Sequence, residues 1–285
     1  MIQRKKKQNL LQFNIEDLHS CNLIQKTKPK SLTFGRCLYT FEYQQQHYWL
    51  KTQACNVNQS CEAGFLNELA FYQQFVDQSH SSSNIPDFLL PFQVIPHFKI
   101  VSQQKGLRSS ALILSHAESP FGECAGMSLN EIKKTLLKVL DVIDQLHQFG
   151  WIHADLKQEH FVLYQQRVCL IDFEQAQKVE VSQKMQSLTA TPRYMAPELF
   201  HFTEKNVQTD IYALGIIFYE WLAGKRLTAE NYQDWAYLHC QRLSIELPDH
   251  LIHFKKFLSG MLAKQKEQRF TSIHAVKQCL IPENA

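Results

Sequence analysis

The hydrophobic pattern of this chain changes near residue 116, and that change limits the folds that the chain can adopt. Apolar residues between positions 61 and 75 recur at helical spacing, which predicts one helix in the first part of the chain. Short aromatic or β-branched segments on either side of this helix predict strands at 38–43, 48–51, 98–101 and 111–114. The first part is therefore predicted to be a small strand-rich lobe with one main helix.

After residue 116 the pattern becomes helical. Ser128 and Glu131 form the sequence signature of a capping box, and the apolar stripe that follows them ends at Gly150. Further helices are predicted at 210–223, 229–238, 250–262 and 272–280. The predicted fold class is α+β, with a strand-rich lobe followed by a larger helical lobe. The predicted limits are a basic N-terminal extension at 1–20, a small lobe at 21–115, a linking segment at 116–121 and a larger lobe at 122–285.

The composition excludes several classes of protein. With 285 residues, 45% of them hydrophobic, the chain buries too much apolar surface to be disordered. The net charge of only +3 means that basic and acidic residues are nearly balanced. Nucleic acid is therefore not an expected partner, since proteins that bind it usually carry a strongly basic surface. The eight cysteines lack the paired spacing of a zinc site and are expected to be reduced.

No membrane span or export signal is expected. The most apolar segment, 211–224, is interrupted by Glu220 and is shorter than the roughly 20 residues that cross a bilayer. The charged start of the chain is followed by polar residues rather than by the apolar stretch of a signal peptide. These observations predict a cytoplasmic location.

The segment directly after the long predicted helix carries the densest chemical signal, Trp-Ile-His-Ala-Asp-Leu-Lys-Gln-Glu-His at 151–160. It resembles the catalytic loop of protein kinases, which follows the pattern H-R-D-L-K-x-x-N. The resemblance implies that Asp155 accepts the proton of the attacking hydroxyl and that Lys157 contacts the γ-phosphate. The chain departs from the pattern at two positions, because Ala154 replaces the Arg and His160 replaces the Asn that holds a metal.

A second match follows an apolar strand predicted at 168–171. Asp172-Phe173-Glu174 is similar to the D-F-G metal-binding turn of kinases, with Glu in place of Gly. The resemblance implies that Asp172 holds Mg²⁺ on the phosphates of ATP, since this hard cation prefers oxygen ligands. His160 is the second expected metal ligand, and its imidazole favours Mn²⁺, which is therefore the alternative cation. The other interpretation is that His160 only hydrogen-bonds the loop around Asp155.

Residues 191–198, Thr-Pro-Arg-Tyr-Met-Ala-Pro-Glu, give the most specific match of the chain. They are very similar to the T-P-x-Y-M-A-P-E segment of Ser/Thr protein kinases. The resemblance implies that Thr191 lies in the wall that binds the peptide substrate. It also implies an interior ion pair between Glu198 and Arg269, and it places Asp210 at the start of the central helix of the larger lobe. These last three residues are assigned structural roles.

The small lobe matches the family less densely. Lys51 ends Tyr-Trp-Leu-Lys, where kinases have V-A-I-K and the Lys binds the α- and β-phosphates. Glu68, on the only helix predicted in this lobe, is the expected partner of Lys51, with Glu62 as the competing one.

The phosphate-covering loop is the weakest match. Residues 30–37 keep only Gly35 of the kinase pattern G-x-G-x-x-G, because Lys30 and Leu32 stand where the first two glycines belong. Reduced affinity for nucleotide is one consequence of this difference, and a plain hairpin turn is the other interpretation of the segment. The resemblance implies further nucleotide-binding residues, at Phe34, Gly35, Leu114 and His116.

The resemblance covers about residues 28–282 and implies a two-lobed protein-kinase-like fold. The expected function is transfer of the γ-phosphoryl group of ATP to a Ser or Thr hydroxyl of a protein. Two alternatives stay open. His160 and the run at 170–177 look like features of the bacterial lipopolysaccharide-core kinases, whose acceptor is a glycan. The glycine-poor loop, His160 and Glu174 are also features of a pseudokinase that binds partners without catalysis.

Overall fold

A computed structural model describes residues 10–79, 85–96, 110–180 and 190–281 of the chain. The described residues form two compact units. The first unit lies within Met1–Glu118 and also includes Cys169–Glu174, whereas the second lies within Ser119–Val168 and Gln175–Ala285.

The first unit is built on a five-stranded antiparallel sheet. Its strands are Ile24–Gln25 (β1), Arg36–Tyr43 (β2), Gln46–Gln53 (β3), Phe92–Ile95 (β4) and Ala111–Ser115 (β5), and its helices are Ile15–Ser20 (α1), Pro29–Leu32 (α2) and Gln59–Ser79 (α3). The strand order is β1-β2-β3-β5-β4. The predicted helix at 61–75 is part of α3. The strand predicted at 98–101 lies outside the described residues, and β4 was not predicted.

The hairpin of β2 and β3 fixes which side chains share a face of this sheet. Gln44 and Gln45 both have positive φ angles, 49° and 62°, as in the two-residue turns whose twist matches that of the strands. The resulting register pairs Leu38 with Lys51 and Arg36 with Gln53. Because residues directly opposite each other in an antiparallel pair point to the same side, these four side chains lie on one face.

Aromatic packing holds Cys169–Glu174 in the first unit. Phe173 is fully buried and its ring stacks on Phe71 of α3, with 4.1 Å between centroids and 17° between planes. Tyr72 packs edge-on against the same ring. The Leu170 amide donates a hydrogen bond to the Phe88 carbonyl at 2.8 Å. These contacts place Asp172 and Glu174, on either side of Phe173, beside α3.

The second unit is mainly helical. Its elements are the helices Leu129–Gln148 (α4), Val207–Ala223 (α5), Tyr232–Tyr237 (α6), Lys255–Met261 (α7) and Ile273–Leu280 (α8), and the short strands Trp151–Ile152 (β6), Phe161–Tyr164 (β7), Arg167–Leu170 (β8) and Gln177–Lys178 (β9). Strand β6 pairs with β9, and β7 forms a hairpin with β8. The predicted helix at 250–262 is divided into a 3₁₀ turn, Asp249–Phe254, and α7.

Two helices organise the core of this unit. The predicted capping box of α4 is confirmed, since Ser128 accepts from the Glu131 amide and the Glu131 carboxylate accepts from the Ser128 amide. Helix α4 buries one apolar stripe, whereas α5 is buried on nearly all sides, as a central core helix must be. A strand-rich unit and a helical unit confirm the predicted α+β class. Within the described part of the chain, no helix combines the length and apolarity that a membrane crossing requires.

Candidate active site

In the first unit, Lys51 of β3 is surrounded by three carboxylates. Its Nζ lies 2.6 Å from Glu68 Oε2, 2.9 Å from Asp172 Oδ1 and 2.8 Å from Glu174 Oε1. The structure thus brings together the Lys51 and Glu68 that the sequence paired, and it adds Glu174 to them. Glu62 accepts instead from the Asn56 amide at 3.2 Å.

Burial and crowding shift the ionisation of this cluster. Burial raises the pKa of Glu68 to about 7, and the negative charges of Asp172 and Glu174 add to the shift, although Lys51 opposes it. Burial disfavours the charged form of Lys51, but the three surrounding carboxylates raise its pKa well above the ordinary value. The ammonium therefore stays charged, while Glu68 takes up a proton near neutral pH.

This shift predicts a pH dependence of stability. Because the pKa of Glu68 is higher in the folded chain than its ordinary value of 4.5, the group stabilises the fold fully below about pH 4.5 and loses this contribution as the pH rises through about 7. We expect the free energy of unfolding, measured by urea denaturation from pH 5 to 7.5, to fall relative to that of Glu68→Gln. The slope of the difference is at most about 1.4 kcal/mol per pH unit. Parallel profiles for the two proteins would contradict the shift.

The backbone around Asp172 is held by α3. The Phe173 amide donates to Glu68 Oε1 at 3.0 Å, and Asn67 Nδ2 donates to the carbonyls of Phe173 and Glu174. Asp172 itself has a φ of 67°, a left-handed conformation that Asp tolerates better than most residues. Helix α3 thereby holds the backbone from which the Asp172 and Glu174 side chains extend.

The donor set of this cluster suits a hard divalent cation. Glu68, Asp172 and Glu174 each offer a carboxylate oxygen, and the three oxygens lie within 4.8 Å of one another. Oxygen ligands of this kind fit Mg²⁺. The Asp172 side chain is 28% exposed, whereas the other two carboxylates are buried. Asp172 is therefore the most exposed of the three carboxylates, and its role as a metal ligand stays a prediction.

The segment that matches the phosphate-covering loop lies between the antiparallel strands β1 and β2. It contains the short helix α2, and it ends at Gly35, which has a φ of 77°. This φ is strained for a residue with a Cβ, and a Cβ here would also lie 3.1 Å from Val57 Cβ and 3.2 Å from the Ala54 carbonyl oxygen, so the position favours glycine. Gln53 Nε2 donates to the Phe34 carbonyl at 2.9 Å, and the Phe34 side chain is exposed.

The other two expected nucleotide-binding residues lie at the end of the small sheet. Leu114 of β5 is buried and pairs with Trp49 of β3. His116 follows β5, and its Nδ1 accepts a hydrogen bond from Trp49 Nε1 at 2.9 Å. The structure places both residues beside Trp49. Their contact with nucleotide stays a prediction.

In the second unit, Asp155 is the centre of a separate cluster. Its Oδ2 lies 2.9 Å from Lys157 Nζ. Its Oδ1 accepts from both the amide and the hydroxyl of Thr191, each at 3.0 Å. The structure thus joins three of the residues selected from sequence, and it places a cation and a hydroxyl donor on the two oxygens of one carboxylate.

Asp210, at the start of α5, fixes the backbone that precedes Asp155. Its carboxylate accepts from the amides of His153 at 2.8 Å and Ala154 at 2.9 Å, and it lies 3.0 Å from His147 Nε2. Burial alone would raise the pKa of Asp210, but the hydrogen bonds and charge of His147 and His153 hold it below the ordinary value. The ionised carboxylate stabilises Ala154 at a φ of 66°, a strained value for a residue with a Cβ.

His160 lies in a 3₁₀ turn, Gln158–His160, and is buried. Its ring stacks on His153 with 5.2 Å between centroids and 29° between planes, and its amide donates to the Lys157 carbonyl at 3.1 Å. Among the described residues, the group of three potential metal ligands does not include His160. These contacts fit the interpretation that His160 supports the loop, and its role as a metal ligand stays a prediction.

Glu198 and Arg269 form a bidentate ion pair in the interior of the second unit. Arg269 Nη1 lies 2.7 Å from Glu198 Oε1, and Nη2 lies 2.9 Å from Oε2. The guanidinium also donates to the carbonyls of Ala263 and Gln208. Each polar atom of Arg269 is engaged in this way, as a buried cation requires.

A family model described as "Protein kinase domain" matches residues 37–281. The chain belongs to the protein kinase family. This result confirms the predicted fold and the resemblance to eukaryotic-type protein kinases. The similarity to lipopolysaccharide-core kinases stays a prediction.

Individual relatives are distant protein kinases. The chain is 25% identical over 167 residues to the death-associated protein kinase dapk-1 of Caenorhabditis elegans, covering 55% of this chain and 11% of that protein. It is 28% identical over 115 residues to an Aurora kinase of Eremothecium gossypii, covering 40% and 31%. It is 32% identical over 143 residues to the serine/threonine-protein kinase TIO of Arabidopsis thaliana, covering 49% and 11%. The matched segments span about a tenth to a third of the length of these curated relatives.

Sequence reasoning missed three residues that contact the candidate site residues. Arg36 pairs with Glu174, Asn67 holds the backbone of Phe173 and Glu174, and His147 contacts Asp210. Nothing in the sequence around Asn67, which directly precedes Glu68, indicates that its side chain contacts the backbone of Phe173 and Glu174. The position of Arg36 could have been predicted. A two-residue turn at Gln44-Gln45 fixes the register of the hairpin, and this register puts Arg36 on the same face of the sheet as Lys51.

Proposed function

We propose that this kinase transfers the γ-phosphoryl group of ATP to a Ser or Thr hydroxyl of a protein substrate. The observation that carries the proposal is the environment of the Asp155 carboxylate. The Thr191 hydroxyl donates to Oδ1 at 3.0 Å, and Lys157 Nζ lies 2.9 Å from Oδ2. An aliphatic hydroxyl thus already reaches the carboxylate at the distance that a general base needs.

The roles of the chain's residues follow from their charges. Asp155 accepts the proton of the acceptor hydroxyl as that oxygen attacks the γ-phosphorus. Lys157, beside it, stabilises the negative charge that develops on the transferred group. Lys51, oriented by Glu68, binds the phosphates of the nucleotide. Most of the rate enhancement then comes from positioning and from fixed positive charge, not from covalent catalysis.

The proposal includes Mg²⁺ as the cofactor. Asp172 would hold it, and when bound the ion would neutralise negative charge on the phosphate oxygens of the nucleotide. Mn²⁺ is the alternative if His160 is also a ligand, because imidazole is a softer donor than a carboxylate. A cytoplasmic location, with a protein and not a nucleic acid as the partner, completes the proposal and rests on the sequence.

The test is an incubation with γ-labelled ATP and Mg²⁺, in the presence of a mixture of dephosphorylated proteins and, separately, of a lipopolysaccharide-core glycan. We expect label on protein, recovered as phosphoserine or phosphothreonine after hydrolysis. Asp155→Ala should lower the rate about 10²–10⁴-fold, the usual contribution of a general base. Asp249→Ala, which removes an exposed aspartate of the same unit, is the matched control and should leave the rate unchanged.

Each other outcome rejects the proposal in a different way. Label on the glycan alone would identify a sugar kinase. Label on tyrosine alone would reject the Ser/Thr acceptor. An absence of label with either Mg²⁺ or Mn²⁺ would identify a pseudokinase. Equal rates for the parent and Asp155→Ala would show that Asp155 is not the base.

A further inference from the structure

The backbone of the phosphate-covering segment has few N–H groups left for a ligand. The amides of five consecutive residues, from Ser31 to Gly35, all donate within the segment, to the carbonyls of Lys28, Pro29, Ser31 and Leu32 at 2.9–3.3 Å. These hydrogen bonds form α2 and the turn that follows it. In this conformation the segment cannot cradle phosphates with its backbone, so a nucleotide that binds here needs positive charge from side chains.

Arg36, the first residue of β2, is placed to supply that charge. It is on the same sheet face as Lys51, two residues before the partner of Lys51 in the hairpin register. Its Nη2 donates to Glu174 Oε2, while the other oxygen of that carboxylate lies 2.8 Å from Lys51 Nζ. One carboxylate therefore holds two cations as neighbours.

Arg36 also keeps donors for a ligand. A guanidinium has five N–H groups in a planar fork, and Glu174 is the hydrogen-bond partner that the described residues provide for it. The side chain is 42% exposed. Phosphate oxygens match this fork, because an Arg binds two of them at once.

Residues of α3 fix the position of Glu174. Asn67 Nδ2 donates to its carbonyl at 3.2 Å. Gly64 of α3 approaches it so closely that a Cβ there would lie 3.3 Å from Glu174 Oε2. The Glu174 side chain is buried, at 7% exposure. Such a buried carboxylate beside a phosphate site needs a cation to compensate its charge, and Arg36 provides one in addition to Lys51.

We propose that Arg36 is a second phosphate-binding residue, oriented by Glu174, that acts beside Lys51 on the phosphates of a nucleoside triphosphate. This inference rests on the proposed function, since it assumes that the site takes ATP. In charge terms, Arg36 and Glu174 cancel each other, so that Lys51 keeps Glu68 and Asp172 as its other neighbours. Removal of Arg36 alone leaves an extra carboxylate facing the phosphates. Removal of both residues restores the balance but not the lost phosphate contact.

The test is equilibrium binding of ATP, ADP and adenosine to the intact protein with Mg²⁺, measured by calorimetry for four proteins. These are the parent, Arg36→Gln, Arg36→Gln/Glu174→Gly and the control Lys26→Ala, which removes an exposed cation of the same unit. We expect Arg36→Gln to weaken ATP binding about tenfold or more and adenosine binding less than twofold, because the lost contact is to phosphate. The double variant should recover part of this loss and remain at least about threefold weaker than the parent. Lys26→Ala should bind ATP as the parent does.

Several results would overturn the inference. Equal ATP affinity of Arg36→Gln and the parent would remove any role of Arg36. Full recovery in the double variant would make Arg36 a counter-ion of Glu174 without a phosphate contact. Equal losses for adenosine and ATP would indicate a structural effect. If the parent binds ATP and phosphorylates protein while one of these results is found, the inference alone fails. If the parent binds no nucleotide, the proposed function fails with it.

Discussion

Replacement of Asp172 by asparagine is expected to lower the rate of phosphoryl transfer by about 10³–10⁵-fold, the range that one charge-stabilising element contributes at a phosphoryl-transfer site. The substitution removes the negative charge that Mg²⁺ requires but keeps the shape of the side chain. Asparagine tolerates the φ of 67° at this position, and its amide oxygen can still accept from Lys51 Nζ, which lies 2.9 Å from Oδ1. The fold should therefore stay intact.

The measurement is the initial rate of label transfer at saturating ATP, together with a thermal unfolding curve. Asp77→Asn is the matched control, because it makes the same chemical change at an exposed position on α3 of the same unit. Its rate should equal that of the parent. A rate for Asp172→Asn within about tenfold of the parent, or roughly 1.4 kcal/mol of barrier, would show that Asp172 is not essential for the reaction.

A substitution of Lys51 tests the role of the site less directly, because it is expected to affect both activity and stability. In Lys51→Ala the lost ammonium is one that lies within 3 Å of Glu68, Asp172 and Glu174. Its removal leaves these carboxylates without their shared cation, and buried charges without partners destabilise a fold. A loss of activity in this variant thus combines two causes. Asp172→Asn avoids this ambiguity because it leaves Lys51 in place.

Sequence reasoning located most residues of both clusters, because many of their motifs are local. The Asp155 loop and the turn at Asp172 each lie within a few consecutive residues, and their spacing along the chain matches that of a known family. The α4 capping box was equally accessible, since both partners lie within one helical turn. Motifs of this kind can be recognised from the sequence because their residues are close together along the chain.

What sequence reasoning could not give was the set of contacts between distant segments. Glu174 was noted only as a departure from glycine, whereas in the fold it joins Arg36, 138 residues away, to Lys51. The strand β4 was missed because four residues are too few to establish an alternating hydrophobic pattern. The helix α2 begins with a proline, which is favoured at the first position of a helix. This signal was not used, because the segment was compared only with the glycine pattern of kinases.

Arg269→Met is expected to lower the free energy of unfolding by about 3–5 kcal/mol, because it removes one partner of a buried ion pair. The Arg269 side chain is fully buried, and its loss leaves Glu198 and the Ala263 and Gln208 carbonyls without their donor. The stacking of the guanidinium on the Tyr212 ring, with 4.9 Å to the centroid, is lost as well. Such a loss is a large fraction of the 5–15 kcal/mol that typically separates folded from unfolded domains.

Urea denaturation gives the measurement, and two variants define the cause of the expected loss. Arg242→Met removes an exposed arginine that also lies over a tyrosine, Tyr237, and should change stability by less than about 0.5 kcal/mol. Arg269→Met/Glu198→Gln removes the unpaired carboxylate and should recover part of the loss, since the neutral amide is less costly to bury. A loss below about 1 kcal/mol for Arg269→Met would contradict the structural role of the pair. If the double variant were no more stable than Arg269→Met, the lost packing and carbonyl contacts, rather than the buried charge, would be the cause.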